Sequence, residues 1–144
     1  MKIFIAGIMQ GSKKGKGIQE QDYRQRIRAA VEINHPEAVI VEPFSLFPDS
    51  VTYGDQRAKQ TLFAMAAEAG SSDILIAYLP NASMGTALEM VRAYDNGTII
   101  ISISPLDANW FIRSLSEKIF PSLDDFCSWA GQIQFSELID AATA

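Results

Sequence analysis

An α/β domain is predicted, built on an open parallel sheet of about five strands with helices on both faces, and three observations carry that expectation. Short apolar runs recur at residues 2–7, 38–42, 74–79 and 98–103, each bounded by glycine, proline or polar turn residues. One segment of helical period stands in each interval between them, the alternation that generates βαβ units. The central run is also too continuous for a strand with one wet face, so helices are expected to cover both sides. With 144 residues and 48% hydrophobic content, a single domain spanning 1–144 has material for a substantial core.

The first strand, residues 2–7 (KIFIAG), stops at Gly7 and runs into a loop of four glycines, three lysines and a serine over residues 7–17. That composition lets backbone N–H groups and ammonium charges approach a phosphate, with Gly11 and Ser12 as candidate contacts. The competing reading is a solvated basic loop. No GKS or GKT follows as in a P-loop, and no G-x-G-x-x-G dinucleotide turn is present.

Residues 19–34 are expected to be a helix with Tyr23, Ile27, Ala30 and Val31 on its apolar face and Arg24, Arg26 and Arg28 mostly elsewhere. Asn34-His35-Pro36 ends it, which gives His35, the sole histidine, a cap or surface role. No second His or Cys stands at ligand spacing, so no metal site is expected. A second strand follows at 38–42, then a loop at 43–54 whose Phe44, Phe47 and Tyr53 either pack or wall a pocket. Residues 55–69 have helical period with Leu62, Phe63, Met65, Ala66 and Ala69 on the apolar side, and Gly70 is a stop signal.

Residues 72–96 hold most of the chemistry. Asp73 heads the run Ile74-Leu75-Ile76-Ala77-Tyr78-Leu79, Pro80-Asn81-Ala82-Ser83 breaks it, and a helix begins at Met84. Glu89 then falls near the first turn of that helix, at the carboxyl edge of a parallel sheet, where a carboxylate is placed to act on a ligand. The structural alternative is a capping box, Thr86-x-x-Glu89, in which the glutamate only caps. Asp73 has a parallel alternative as a turn residue and Ser83 as a helix cap.

Asn96-Gly97 turns the chain into the strand at 98–103, followed by a helix holding Trp110, Phe111, Ile112 and Leu115. A brief fifth strand around Ile119 and Phe120, a helix over 122–132 and a last short helix over 135–144 complete the expected order. A net charge of −5 argues against a nucleic-acid polymer or an acidic membrane as partner. The lone Cys127 permits no internal disulfide, no apolar run reaches 18 residues, and no signal-peptide pattern opens the chain. A cytoplasmic protein without a membrane segment is the expectation.

The strand ending in Gly7 with its basic glycine loop, the Asp73 strand and Ser83-Met84-Gly85-Thr86-Ala87-Leu88-Glu89-Met90 resemble the nucleoside 2-deoxyribosyltransferase family. The closer likeness is to its branch of 2′-deoxynucleoside 5′-phosphate N-hydrolases, and it covers roughly residues 2–105. The resemblance implies a flavodoxin-like fold, a nucleoside or nucleotide substrate, no cofactor, and a homodimer or higher homo-oligomer with Phe111 and Trp129 as interface candidates. It implies Glu89 as nucleophile on the sugar anomeric carbon, Asp73 as a second catalytic residue, and Ser83 as a ligand of the 5′-phosphate. Phe4, Gly7, Gln10, Gly11, Ser12 and Gly85 complete the implied substrate-binding set. Phe4 stands where the family usually has a tyrosine, Ile8 and Gln10 where the hydrolase branch has a serine and an arginine. The apolar Leu62-Phe63-Ala64-Met65 stands where the family carries an aspartate on the preceding helix, leaving Asp55 or Glu68 as substitutes. A non-catalytic nucleotide-binding protein on the same fold is the second reading.

Overall fold

Five parallel strands form one sheet in the order β2-β1-β3-β4-β5, in a computed structural model that describes residues 1–9 and 22–144. The strands are β1 (Lys2–Gly7), β2 (Val39–Val41), β3 (Ile74–Tyr78), β4 (Ile99–Ile103) and β5 (Lys118–Phe120). Among the described residues the helices are α1 (Asp22–Glu32), α2 (Pro43–Leu46), α3 (Asp55–Gly70), α4 (Met84–Asp95), α5 (Trp110–Leu115), α6 (Leu123–Ala130) and α7 (Phe135–Thr143). The expected strands and helices follow one another in the expected order, and the segment 43–54, expected as a loop, additionally contains α2 and a 3-10 turn at Ser50–Thr52.

Alternation along the strands sorts the core into two layers. Ile3, Ile5, Ile74, Ile76, Ile101 and Ile103 meet Ile27 and Val31 of α1, Phe126 of α6 and Phe135 of α7. The opposite parity, Phe4, Ala6, Leu75, Ala77 and Ile100, meets Met65 and Ala69 of α3, Met90 and Ala93 of α4 and Ile112 of α5. Each fully buried large aliphatic side chain contributes about 1.5–3 kcal/mol, which is why both faces need helices. Register runs straight across the centre, Ile3 opposite Ile74 and Ile74 opposite Ile99.

Several expectations need correction. Phe4, expected at the substrate, is fully buried against α3 and α4, because its parity in β1 turns it into the core. Leu62 and Phe63 of α3 are exposed, at 42% and 48%, since the helix buries the smaller Met65-Ala66-Ala69 face instead. His35 is a core residue, not a surface one. Its Nε2 accepts the Phe135 N–H at 3.0 Å, and its ring lies 5.1 Å from that of Phe135. Beside it, the Asn34 side-chain amide donates to the Ile133 carbonyl at 3.1 Å, so the end of α1 fixes the α6–α7 corner. Trp129 is half-buried and packs among Phe120, Phe126 and Phe135, whereas Trp110 is 82% exposed.

The sheet order sets where a ligand is received. From β1 the chain steps outward to β2 and then returns to the other side of β1 to form β3. At such a switch the connections leave the carboxyl ends in opposite directions, and a crevice opens between them. The other edge of the sheet is closed. There the Asp73 carboxylate accepts the Lys2 N–H at 2.7 Å, while Lys2 Nζ pairs with Glu68 at 2.6 Å.

Candidate active site

The start of α4 is fixed by its own sequence. Ser83 has extended backbone (φ −143°, ψ 121°), and its Oγ accepts the Thr86 N–H at 3.3 Å. Ser83 is thus the cap and Thr86 the third residue of the helix, which puts Glu89 in the second turn, too far along for a capping box. The turn before it is anchored from β4: the Leu79 N–H donates to the Ile103 carbonyl at 2.9 Å, and the Ser104 hydroxyl donates to the Leu79 carbonyl at 2.6 Å.

Glu89 faces a cleft of about 400 Å³ at the carboxyl edge. Gly7 at the end of β1 and Met9 beyond it, Pro43 and Phe47 at α2, Thr61 and Met65 of α3, the cap Ser83, and Gly85 and Thr86 of α4 line it. The volume lies in the range of small-molecule sites, and the wall is largely apolar with a few convergent polar groups. Lys59 is the one lysine on this wall among the described residues.

Glu89 is 7% exposed, and burial pushes its carboxyl from 4.5 up to about 8, against the opposing pull of the Arg24 guanidinium. Arg24, on α1, is itself buried. Its Nη1 donates to the Ile5 carbonyl at 3.1 Å, its Nη2 to the Gly7 carbonyl at 3.3 Å, and Nη1 lies 3.5 Å from Glu42 Oε2. Glu42 in turn caps α2, accepting the Ser45 N–H on Oε1 at 3.0 Å. Tyr23 completes this layer: its hydroxyl donates to the Ile8 carbonyl at 3.3 Å and its ring lies 4.4 Å from that of Tyr78. Burial raises its phenol above the usual range, Arg24 opposes that, and the carboxylates of Glu89 and Glu42 add to it. A side chain on Gly7 would place Cβ 2.6 Å from Tyr23 Cζ, so this close approach of strand to ring requires glycine.

Of the residues singled out from sequence, the cleft brings together Glu89, Gly7, Ser83 and Gly85. Gln10, Gly11 and Ser12 lie outside the described residues. Asp73 is not brought to Glu89: β3 separates it from the cleft, and it serves as the hydrogen-bond partner of Lys2 at the amino edge. Glu68 is held at that same amino edge by Lys2. Sequence reasoning missed Arg24, Glu42, Tyr23 and Thr86. The signal for Arg24 was present, because Arg24, Ile27 and Val31 have i, i+3, i+7 spacing, which places a cation on the apolar stripe itself. Among the described residues no group of three or more His, Cys, Asp or Glu side chains is arranged to hold a metal ion.

No family model and no curated protein matches the chain. Solved structures do. A 2-deoxyribosyltransferase from Bacillus psychrosaccharolyticus superposes with a TM-score of 0.66 at 16% identity, covering 96% of this chain and 96% of that one. A conserved protein from Enterococcus faecalis V583 gives 0.63 at 17% identity over 92% of this chain and 98% of its own. The CMP N-glycosidase BcmB of Clostridium botulinum gives 0.53 at 16% identity over 90% and 96%. At these identities the likeness is one of fold: the chain has the α/β, flavodoxin-like architecture of a 2-deoxyribosyltransferase over nearly its whole length.

Proposed function

We propose that this chain cleaves the N-glycosidic bond of a (deoxy)nucleoside or its 5′-monophosphate by a retaining mechanism with Glu89 as nucleophile. It would act as a hydrolase or deoxyribosyltransferase of the nucleoside 2-deoxyribosyltransferase family. The observation that carries the reading is a carboxylate 7% exposed, free of any capping role, on the wall of a nucleotide-sized cleft at the carboxyl edge of the sheet. Two fold neighbours, a 2-deoxyribosyltransferase and a CMP N-glycosidase, lend support.

In this mechanism ionised Glu89 attacks C1′ while the C1′–N bond breaks and its electron pair leaves with the base, which takes up a proton. The glycosyl ester is then resolved by water or by a second base, and two inversions give retention. Ser83 and the first turn of α4 receive the 5′-phosphate, as expected of the hydrolase branch. The N-terminal N–H groups there favour an anion, and at Gly85 an added Cβ would meet nothing within 4 Å. Gln10, Gly11 and Ser12 are assigned to the same subsite. The assembly is a homodimer or larger, for which exposed Phe63, Met84 and Trp110 supply apolar surface, and the compartment is cytoplasmic. No helix among the described residues is long and apolar enough to cross a membrane.

The competing reading, a nucleotide-binding protein without turnover, draws on the apolar Leu62–Met65 side of α3, which offers no acid for the leaving base. Chromatography of free base released from deoxynucleosides and their 5′-monophosphates, with and without an acceptor base, separates the two. Release confined to monophosphates is expected of the phosphate-dependent hydrolase, and base exchange of the transferase. Nucleotide binding without release from any substrate would leave only the competing reading.

A further inference from the structure

Thr86 has a hydroxyl that the fold does not use. The residue is 1% exposed, and its Oγ1 has no hydrogen-bond partner among the described residues. Its backbone N–H is already committed to Ser83 Oγ. A threonine within a helix usually returns its hydroxyl to the carbonyl three or four residues back, and Thr86 does not do so. Burying a hydroxyl without a partner is unfavourable, and valine would fill the same volume without that cost. The unpaired oxygen is therefore best explained by a partner supplied from outside the chain.

The cleft indicates what that partner is. Thr86 and Glu89 stand at i and i+3 on α4, Ser83 caps that helix, and all three line the cleft. Thr86 and Glu89 at that spacing are roughly 5–6 Å apart at Cβ, so a sugar held against Glu89 lies within reach of the Thr86 side chain. Resting on the reading above, with the phosphate at Ser83 and C1′ at Glu89, we infer that Thr86 Oγ1 is the hydrogen-bond partner of a sugar-ring hydroxyl of the bound nucleotide. Thr86 then acts as a specificity residue: it orients the ring between its two ends and discriminates against sugars lacking the hydroxyl. A site built to pair a substrate hydroxyl rejects the analogue without it strongly, because the protein's own polar group is then left unpaired.

The test compares Thr86 with valine and serine in a Glu89→Gln background, which is expected to bind without cleaving. Calorimetric titration uses a ribonucleoside 5′-monophosphate, its 2′-deoxy form and its 2′,3′-dideoxy form. The expected result is that Thr86→Val melts at the same temperature or higher, yet binds the hydroxyl-bearing ligands about tenfold more weakly. The dideoxy form should bind both proteins alike, and Thr86→Ser should retain the parent affinity. A lower melting temperature for Thr86→Val would show that the hydroxyl has a structural partner in the free protein and would overturn the inference. Equal losses for all three ligands, or none, would overturn it as well while leaving the glycosidase reading intact. If the parent protein binds none of the three, the reading itself fails and this inference fails with it.

Discussion

Glu89→Gln is expected to lower base release by at least about a thousandfold and, at the same time, to stabilise the fold at alkaline pH. The first effect follows because glutamine keeps the shape but has no carboxylate to attack C1′. The second follows from the sign of the shift. The Glu89 carboxyl titrates near 4.5 when unfolded and at about 8 when folded, so between those values the folded state holds a proton that the unfolded state has released. Stability contributed by this group is whole below pH 4.5 and is lost as pH rises to about 8. At about 1.4 kcal/mol per unit, the advantage of Glu89→Gln should grow by about 3–5 kcal/mol from pH 4 to pH 9. Urea denaturation of both proteins across that range measures it, and parallel stability curves would remove the buried-carboxyl argument. The same titration governs catalysis. kcat/KM for the wild type should rise tenfold per pH unit below about 8 and then level, because only the ionised glutamate is nucleophilic.

Arg24→Gln should damage both fold and rate. It removes the guanidinium held by the Ile5 and Gly7 carbonyls and leaves the buried Glu42 carboxylate without its cation. Breaking a buried pair from one side typically costs about 3–5 kcal/mol, visible as a lower melting temperature. Because Arg24 also opposes the effect of burial on Glu89, the acid limb of the pH–rate profile should move above about 8. Glu42→Gln is the informative partner. It removes the Glu42 carboxylate that faces Arg24, so the limb should move the other way, to lower pH. Shifts of opposite sign in these two variants are not what general loosening of the fold produces, and an unmoved limb in both would remove Arg24 from the account of Glu89.

The central unit was the most legible part of the chain, because its signals agree at every level. An apolar run of strand length, a proline break and a serine cap place β3 and α4 within a residue of where sequence puts them. Glu89 was legible for the same reason, since a residue just inside a helix that follows a parallel strand must lie at the carboxyl edge. What failed was parity and partnership. Phe4 carries a pattern compatible with either face of β1, and only the pairing with β3 turns it into the α3–α4 layer. Asp73 was assigned to chemistry by resemblance, although its place before β3 puts it at the opposite end of the strand from Glu89. The Arg24–Glu42 pair joins α1 to the end of β2, and no local pattern in either segment names the other. His35 was misread because the loop that holds it looks exposed until α7 arrives from a hundred residues downstream to donate the Phe135 N–H.

The most direct test of the central claim is to trap the glycosyl ester. Wild-type protein mixed with the 2′-deoxynucleoside 5′-monophosphate that it turns over, then quenched in acid within milliseconds, is digested and analysed by mass spectrometry. A deoxyribose phosphate adduct is expected on the peptide containing Glu89 and is expected to be absent from Glu89→Gln. Base release at full rate with an unmodified Glu89 peptide, together with turnover by Glu89→Gln, would contradict it.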